Sequence, residues 1–589
     1  MKKIHSFMWL LLVVVAFSGC ESNDDNSNSG PNDDTFNQNF GNSVNRDFIG
    51  QVVDANNNPL PGVTIKIGAS TMQTDINGVF IINDAQVYER FAYITAKKAG
   101  YIDGSRSMVP TTGKNNVKIM MISNTPLETI QSGVSGEVAL PSGTKVVFDG
   151  AFEDANGNDY SGSVQVAMFH LLPSDENISK LMPGMLYAQT ETNQQAVLET
   201  FGMLNVELRG SAGQKLNIKE GHTAEITLQI DNSQVATAPN TIPLWHFDEE
   251  KGYWKEEGVA TKVGNKYVGE VSHFSWWNCD MPLPMVILTV TIVNADGNPI
   301  SNLGVGLIAN GNNMPSMGYT NTNGMVSGLI PANQTLTLNV YPDYFSCANN
   351  IFYTATIGPF NTNEVLPNIV INNSSTVTSS NVVGNLVKCD NANVTNGYVI
   401  LSRAGGSSVS PVTNGAFSFN EIYCPSNTQF TLKGYDLENL KSSGSINYNF
   451  IQPRTNIGII QTCNALSELI SFQVDNNPPV ILTVGVNAEY IPTAYLPLSI
   501  NCPSEYGISP GILISGDTNV VGTYTTSTPF ILSSQAFDFI GSTTTNTMQF
   551  HLNKFGAVGD YIDMTFEGTY TNTTGVHTLT GVVHVIRDN

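Results

Sequence analysis

Apolar and polar residues alternate in short runs along the chain from residue 47 onward. The first runs, Ile49 to Val53 and Val63 to Ile67, lie on either side of the cluster Asn58-Pro59-Leu60-Pro61-Gly62. A period of two puts alternate side chains on one face of a strand, and Asn, Pro and Gly supply turn geometry that β-branched residues resist. Only 13% of residues are charged, and Asn, Thr, Ser and Gly are abundant. The pattern predicts an all-β chain.

A second turn, Thr74-Asp75-Ile76-Asn77-Gly78, leads into the apolar run Val79 to Ile82, and Gly100-Tyr101 closes the unit. Taken in order, Gly-x-Val-x-Asp, Pro-Leu-Pro-Gly-Val, Thr-Asp-x-x-Gly-x-Phe and Gly-Tyr resemble the carboxypeptidase regulatory-like domain over roughly residues 47–123. The resemblance implies a transthyretin-like β-sandwich. In that family the module accompanies other domains and does no chemistry itself, so the fold alone does not give a function.

The same order of elements recurs twice, more loosely. The second copy comprises Val290 to Asn294, Gly297 to Ile300 and Tyr319 to Gly324, and the third comprises Val383 to Val387, Asn396 to Val399 and Thr413 to Phe417. Repetition of one unit predicts a tandem array of β-sandwich domains of the Ig-like or transthyretin-like kind.

The 589 residues are too many for a single core and divide into several units. We expect a lipoprotein signal peptide at 1–19, a disordered tether at 20–46, the carboxypeptidase regulatory-like sandwich at 47–123, a β domain with a Trp-rich hairpin at 124–283, a second sandwich at 284–375, a third at 376–464 and a C-terminal β domain at 465–589.

The N-terminus has the pattern of an export segment. Met1-Lys2-Lys3 precedes an apolar run from Phe7 to Phe17, and Ser18-Gly19-Cys20 follows. The run is far shorter than the roughly 20 residues that span a bilayer, as expected for a secretory h-region. Small residues before a cysteine resemble the bacterial lipobox, and the resemblance implies a lipid on Cys20. Membrane attachment through that lipid is therefore the expected partner of this end of the chain.

The residues after Cys20 are polar. Glu21 to Asp25 is acidic and resembles the export signal by which Bacteroidetes send lipoproteins to the outer face of the outer membrane. Residues 21–46 are nearly all Glu, Ser, Asn, Asp, Gly and Thr, a composition that predicts disorder. We therefore expect a surface-exposed lipoprotein of the outer membrane held by a flexible tether.

Residues 124–283 differ in character from the sandwiches. The run Trp245-His246-Phe247-Asp248 to Gly252-Tyr253-Trp254, and the later His273-Phe274-Ser275-Trp276-Trp277-Asn278, resemble a region of cartilage intermediate layer protein and related extracellular β proteins. The resemblance implies an extracellular structural or adhesive context and names no ligand.

Four of the five tryptophans fall in this region: Trp245, Trp254, Trp276 and Trp277. Clustered aromatic rings can stack on sugars, so these four residues are the candidate ligand-binding residues for a glycan. The alternative is that they form a packed core or a hairpin clasp around the turn from Asp248 to Gly252.

The formal net charge is −23, without a basic cluster, which argues against nucleic acid as a partner. A glycan or protein ligand outside the cell remains open. Six cysteines remain besides Cys20: Cys279, Cys347, Cys389, Cys424, Cys463 and Cys502. An even number at wide spacing suits structural disulfides or buried thiols better than a compact zinc site.

The sequence offers no recognisable catalytic, metal or cofactor motif. His246-Phe247-Asp248-Glu249 satisfies His-x-x-Glu, but it lies in a predicted hairpin, unlike the zinc site of a metallocarboxypeptidase. The turns at Asp75 and at Asp154 to Asp159 have oxygen ligands at short spacing and could hold structural calcium. They lack the distal glutamate of an EF-loop, so Asx turns are the favoured interpretation.

These features favour a non-enzymatic cell-surface lipoprotein that acts as a binding, adhesive or scaffolding module. One alternative is a glycan-binding accessory protein of a polysaccharide uptake system, which requires exposed tryptophans. The other is an envelope hydrolase, because two acids from distant loops would leave no local motif.

Overall fold

The computed structural model describes residues 33–588, except for 76, 310–315, 342–350, 373–377, 404–405, 440, 466–467, 476–479, 483–485, 503–511, 526–529, 535–538, 541–543 and 573–574. The predicted signal peptide and Cys20 lie outside the described residues. The described part is almost entirely β, as the alternating pattern predicted. Its two helices are four residues long each, far short of the roughly 20 residues that a membrane-spanning helix needs.

The first sandwich follows a short helix, α1 (Asp33–Phe36), and a 3₁₀ turn (Asn37–Phe40). Its strands are β1 Ser43–Asp54, β2 Thr64–Ile67, β3 Ser70–Gln73, β4 Val79–Tyr88, β5 Ala92–Lys97, β6 Gly104–Met108 and β7 Lys114–Met121. Sheet β4-β1-β7 packs on sheet β3-β2-β5-β6. Their inward positions, including Phe48, Ile65, Phe80 and Ile94, form one buried cluster, since alternate residues of a strand share a face.

The middle domain is a single 13-stranded sheet. Its elements are β8 Glu128–Gln131, β9 Gly136–Ala139, β10 Lys145–Phe148, β11 Phe152–Asp154, β12 Ser163–Leu171, α2 Ile178–Leu181, β13 Tyr187–Gln189, β14 Gln195–Gly210, β15 Lys215–Ile218, β16 Ala224–Gln229, β17 Thr241–Asp248, β18 Tyr253–Val263, β19 Lys266–Val271 and β20 Trp276–Leu283. Strand β14 is central, because it pairs with β12, β13, β15 and β20.

The second and third sandwiches repeat the first in outline. The second has β21 Met285–Asn294, β22 Gly304–Ala309, β23 Ser316–Tyr319, β24 Met325–Pro331, β25 Leu336–Tyr341, β26 Tyr353–Ile357, β27 Glu364–Val365 and β28 Ile369–Ile371. The third has β29 Thr378–Lys388, β30 Gly397–Arg403, β31 Gly406–Pro411, β32 Ala416–Tyr423, β33 Gln429–Asp436, β34 Lys441–Ser442, β35 Ile446–Asn449, β36 Arg454–Thr462 and β37 Asn464–Ala465.

The C-terminal domain packs a six-stranded sheet against a five-stranded one. Its strands are β38 Leu469–Val474, β39 Val480–Leu482, β40 Asn487–Tyr490, β41 Leu498–Cys502, β42 Ile512–Gly516, β43 Gly522–Thr525, β44 Phe530–Ser534, β45 Phe539–Ile540, β46 Gln549–Phe555, β47 Tyr561–Asn572 and β48 Gly575–Ile586.

The sandwiches share two structural details. A buried threonine, Thr74 in the first sandwich and Thr320 in the second, donates its hydroxyl to a carbonyl and accepts an N–H three residues after that carbonyl. In all three sandwiches the first strand is antiparallel to one neighbour and parallel to a late strand: β1 to β7, β21 to β28, and β29 to β36. The three units therefore share one topology as well as one sequence pattern.

The predicted disordered tether is wrong for its last part. Residues 33–46 form α1, the 3₁₀ turn and the start of β1. Phe36 and Phe40 are 0% and 4% exposed and lie among Phe91, Tyr187 and Tyr253. Two aromatic side chains four residues apart bury enough apolar surface to order a stretch whose remaining composition is polar.

The three sandwiches contact one another, and each contact involves a turn of at least one of the two sandwiches. Asn321 of the second donates to Thr111 of the first, and Tyr398 of the third donates to Asp75 of the first. Asn420 of the third donates to the Pro299 carbonyl of the second. Each sandwich therefore touches the other two.

The middle domain rests on the first sandwich. Ser107 Oγ donates to the Gly252 carbonyl at 2.6 Å, and Tyr93 Oη donates to the Glu249 carbonyl at 2.7 Å. Both carbonyls belong to the turn between β17 and β18, so the first sandwich holds the end of the Trp-rich hairpin in place.

The described cysteines follow the expectation of disulfides and buried thiols. Cys389 and Cys463 form a disulfide that joins the end of β29 to the end of β36, and Cys424 is also disulfide-bonded. Cys279 is a buried thiol, and its burial raises its pKa.

Candidate functional site

The Trp-rich segment of the middle domain is a hairpin of β17 and β18 whose first strand also pairs with β20. Asp248 closes the turn: its Oδ1 accepts the backbone N–H groups of Glu250 and Lys251 at 3.1 and 2.9 Å, and its carbonyl accepts that of Gly252 at 2.8 Å. Gly252 has a φ of 81°, in the left-handed region that glycine adopts without strain.

The four tryptophans proposed to stack on sugars are in the core. Trp245 and Trp254 are 0% exposed, Trp276 is 2% exposed and Trp277 is 1% exposed. Trp245 Nε1 donates to the Asp280 carbonyl at 3.0 Å. The rings lie in two buried clusters of the middle domain, so they form no exposed stacking face. The packed-core alternative describes their positions.

The hairpin brings together three other side chains: His246, Glu257 and His273. His246 lies on β17 between Trp245 and Phe247, and since strand residues alternate, it faces away from the core that those two fill. Glu257 Oε2 lies 3.5 Å from His246 Nε2 and 3.4 Å from His273 Nε2. One ligand atom from each residue fits within 4.8 Å of the others.

A β-bulge positions Glu257. The register runs from Trp245 opposite Glu256 to Pro243 opposite Val259, so Glu257 and Gly258 together face a single residue. Gly258 has a φ of 83°, and a bulge with glycine in this conformation redirects neighbouring side chains. The extra residue turns Glu257 toward the two histidines.

Polar and aromatic neighbours hold the three side chains. Ser272 Oγ donates to Glu257 Oε1 at 2.8 Å, and Trp277 Nε1 donates to the His273 carbonyl at 2.9 Å. The ring of Trp277 lies 5.7 Å from that of His246 and 5.2 Å from that of His273. The hydrogen bond with His273, more than any other contact, lowers the pKa of Glu257 to about 2.

We call this group the His-Glu-His cluster. Its atoms are one carboxylate oxygen and two imidazole nitrogens, which are ligands that divalent transition metals bind. The sequence motif His-x-x-Glu pairs His246 with Glu249 instead. No sequence motif joins His246 to Glu257 and His273, because residues 11 and 27 positions away converge only through strand pairing and a bulge.

The calcium interpretation of the two acidic turns finds no support in their geometry. Asp75 Oδ1 accepts the backbone N–H groups of Asn77 and Val79, and Asp154 Oδ1 accepts those of Asn156 and Asn158. These are Asx turns, in which the carboxylate binds its own backbone.

A cavity of about 260 Å³ lies where the first sandwich, the middle domain and the second sandwich meet. Its lining is mostly apolar and includes Met182, Val290 and Met317, together with Arg106. Arg106 donates to the carbonyls of Met182 and Gly184, both at 2.9 Å. Burial lowers the pKa of Arg106 to about 10.

No family model matches the chain. Cartilage intermediate layer protein 2 of Homo sapiens is 30% identical over 134 residues, which are 22% of this chain and 10% of that protein. The Mus musculus protein of the same name is 27% identical over 130 residues, again 22% and 10%. The chain thus spans about a tenth of the length of these relatives. The expected resemblance to this protein is confirmed as a partial one, and its assignment to residues 124–283 stays a prediction.

Three solved structures share low similarity with the chain. A streptococcal ancillary pilin has 13% identity and a TM-score of 0.14, with 40% of this chain and 98% of that one covered. The Bacillus anthracis TIE protein has 11% identity and a TM-score of 0.15, with 64% of this chain and 70% of that one covered. The major pilin subunit of Bacillus cereus has 9% identity and a TM-score of 0.12, with 72% of this chain and 100% of that one covered. TM-scores this low carry no argument about function.

Proposed function

We propose that this chain is a non-enzymatic cell-surface lipoprotein, attached to the outer membrane through a lipid on Cys20, whose β domains form one rigid binding, adhesive or scaffolding module. The observation that carries the proposal is the mutual contact of the three sandwiches. Tyr398 and Asn321, which make two of these contacts, are each 1% exposed. Domains that moved independently would expose such side chains to water.

Two further features support the proposal. The lipobox-like sequence at Cys20 and the polar stretch after it suit a lipid-anchored chain. The partial relative is named for a layer of cartilage, which suits a structural role outside the cell.

The two alternatives have less support. The glycan-binding alternative depended on exposed tryptophans, and all four are buried. For a hydrolase, Asp103 and Glu249 line one small cavity, but its volume is about 20 Å³. Asp103 pairs with Lys97 at 2.8 Å and Glu249 with Lys215 at 3.4 Å. That cavity is too small for a sugar ring, and both carboxylates already have partners.

Protease shaving of intact cells tests the proposal. Wild type, Cys20→Ala and the matched control Ser22→Ala are fractionated, and released peptides are identified by mass spectrometry. We expect wild type and Ser22→Ala to be membrane-bound and shaved, and Cys20→Ala to leave the membrane fraction. A wild-type protein that stays membrane-bound but resists shaving would face the periplasm and overturn the surface role. A membrane-bound Cys20→Ala would overturn the lipid anchor.

A further inference from the structure

We propose that the His-Glu-His cluster binds one divalent transition metal ion of the Zn²⁺ type through His246 Nε2, Glu257 Oε2 and His273 Nε2. The site lies in the middle domain and is independent of the lipid anchor and of the contacts among the sandwiches.

The spacing of the ligand atoms fits a metal. In a tetrahedral zinc site with bonds of about 2.0–2.1 Å, neighbouring ligand atoms lie about 3.3–3.4 Å apart. Glu257 Oε2 lies 3.5 and 3.4 Å from the two histidine nitrogens. Both distances are close to the edge of that tetrahedron, and all three ligand atoms lie within 4.8 Å of one another. One ion can therefore reach all three atoms after side-chain movements that bring the two histidine nitrogens to the same spacing.

The same spacing is long for hydrogen bonds, including the one that links His273 to Glu257 at 3.4 Å. An N–H···O bond has a length of about 2.7–3.2 Å. Two other histidine–carboxylate pairs of this chain are shorter: His577 Nδ1 lies 2.8 Å from Asp475, and His222 Nδ1 lies 2.5 Å from Asp149. A third pair, His551 Nε2 and Glu567, is longer at 3.9 Å. The two short pairs use Nδ1 and a single carboxylate. In the cluster, by contrast, two histidines direct Nε2 at the same oxygen from a longer distance.

Hydrogen bonds from neighbouring residues hold the ligand atoms in position. Ser272 occupies Oε1 of Glu257 and leaves Oε2 directed at the histidines. The bond from Trp277 to the His273 carbonyl fixes the backbone beside that ring. Partners of this kind orient metal ligands and sustain affinity.

The cluster is accessible to an ion. The side chains of His246, Glu257 and His273 are 17%, 41% and 32% exposed. Three protein ligands leave a fourth tetrahedral position for water or for a donor atom from a partner. A bound ion would join the hairpin β17–β18 to the segment that enters β20. Since only the folded chain assembles the three ligands, the ion would stabilise the folded middle domain.

The test uses the full chain, stripped with a chelator and dialysed, then titrated with Zn²⁺ in a calorimeter and with Co²⁺ in a spectrophotometer. We expect one ion per chain and visible Co²⁺ absorption of tetrahedral intensity. Glu257→Gln and His273→Asn should each weaken Zn²⁺ binding at least tenfold and remove that absorption. His222→Asn, which alters a two-residue histidine–carboxylate pair elsewhere in the same domain, should bind like wild type.

Near-ultraviolet circular dichroism without metal shows whether each variant remains folded. If wild type takes up no stoichiometric Zn²⁺, or if folded Glu257→Gln and His273→Asn bind as tightly as His222→Asn, the proposal is wrong. A Zn²⁺-dependent rise in melting temperature that is present in wild type and His222→Asn, and absent from Glu257→Gln, would support it separately.

Discussion

Asp75 of the first sandwich and Asn321 of the second occupy the same place in two copies of one turn. In both, Oδ1 accepts the backbone N–H groups two and four residues later, at 2.9 and 3.0 Å after Asp75 and at 2.8 and 3.0 Å after Asn321. The two turns therefore fold through the same local hydrogen bonds.

The remaining atom of each side chain faces a neighbouring sandwich, and here the copies differ. Oδ2 of the ionised Asp75 can only accept, and it takes the hydrogen bond of the Tyr398 hydroxyl. Nδ2 of Asn321 can only donate, and it bonds Thr111 Oγ1 and the Thr112 carbonyl. In both side chains Oδ1 closes the turn. The other atom, an oxygen in Asp75 and an amide nitrogen in Asn321, determines which neighbouring group the turn can bind.

Removal of the Asp75 side chain should have the largest effect. Asp75→Ala loses both turn bonds and the bond from Tyr398, and we expect the local free energy of opening to fall by about 3 kcal/mol. Hydrogen exchange of peptides from β4 measures this. Asp154→Ala is the matched control, because Asp154 makes the same turn bonds at an exposed position, and it should cost about 1 kcal/mol. Equal losses of stability in Asp75→Ala and Asp154→Ala would show that the contact with Tyr398 contributes nothing.

Replacing the Asn321 amide of the second turn by a carboxylate should lower the free energy of opening somewhat less than Asp75→Ala does. Asn321→Asp keeps the turn acceptor but sets a carboxylate oxygen against the Thr112 carbonyl, and we expect a loss of about 2 kcal/mol. Hydrogen exchange at β7 and β24 should increase together. Asn156→Asp adds the same charge at an exposed turn and should change neither region. If hydrogen exchange at β7 and β24 in Asn321→Asp matches wild type, the role given to the Asn321 amide nitrogen is wrong.

The tyrosine partner can be tested alone. Tyr398→Phe removes the hydroxyl that donates to Asp75, and we expect a loss of about 1–2 kcal/mol at the contact between the first and third sandwiches. Tyr435 stacks on Tyr398 with ring centroids 5.0 Å apart, and its hydroxyl donates to Asn77 over a long 3.4 Å. Tyr435→Phe should therefore cost less than about 0.5 kcal/mol. A larger loss of stability in Tyr435→Phe than in Tyr398→Phe would contradict this prediction.

The smallest effect concerns pH. Burial raises the pKa of Asp75 above its ordinary value of 3.8. Between the unfolded and folded pKa values the folded chain keeps a proton that the unfolded chain has released, so stability falls as pH rises through that window. Asp75→Asn, which does not titrate, should lack this part of the fall. Urea midpoints of both proteins from pH 4.5 to 8 measure the difference. Parallel curves would contradict the prediction.

The sequence predicted the local part of these turns and not their partners. Asp-x-Asn-Gly before an apolar run identifies a turn, because the bonds that close it lie within four residues. Tyr398 lies more than 300 residues beyond Asp75, and the spacing of apolar residues does not specify which sandwich faces which. The all-β class and the repeat were therefore predictable from sequence, and the contacts among the repeats were not.

The candidate site illustrates the same limit. A strand pattern shows that His246 alternates with core residues, but the approach of Glu257 depends on a bulge, and that of His273 depends on the pairing of β17 with β20. Composition was also misleading at Phe36 and Phe40, where two aromatic residues order a polar segment. Both features depend on tertiary packing, which overrides local propensity.

The parallel pairing of the first strand with a late strand has a mechanical consequence. When the two ends of such a sandwich are pulled apart, β1 and β7 slide along each other, and their eight residue pairs bear the load in shear, all together. An antiparallel pair pulled open from one end would separate one bond at a time and yield at lower force. Under the proposed lipid anchor, a partner bound at the far end would load the sandwich in this way. In the third sandwich the disulfide Cys389–Cys463 bridges the ends of the sliding strands and limits how far they can extend.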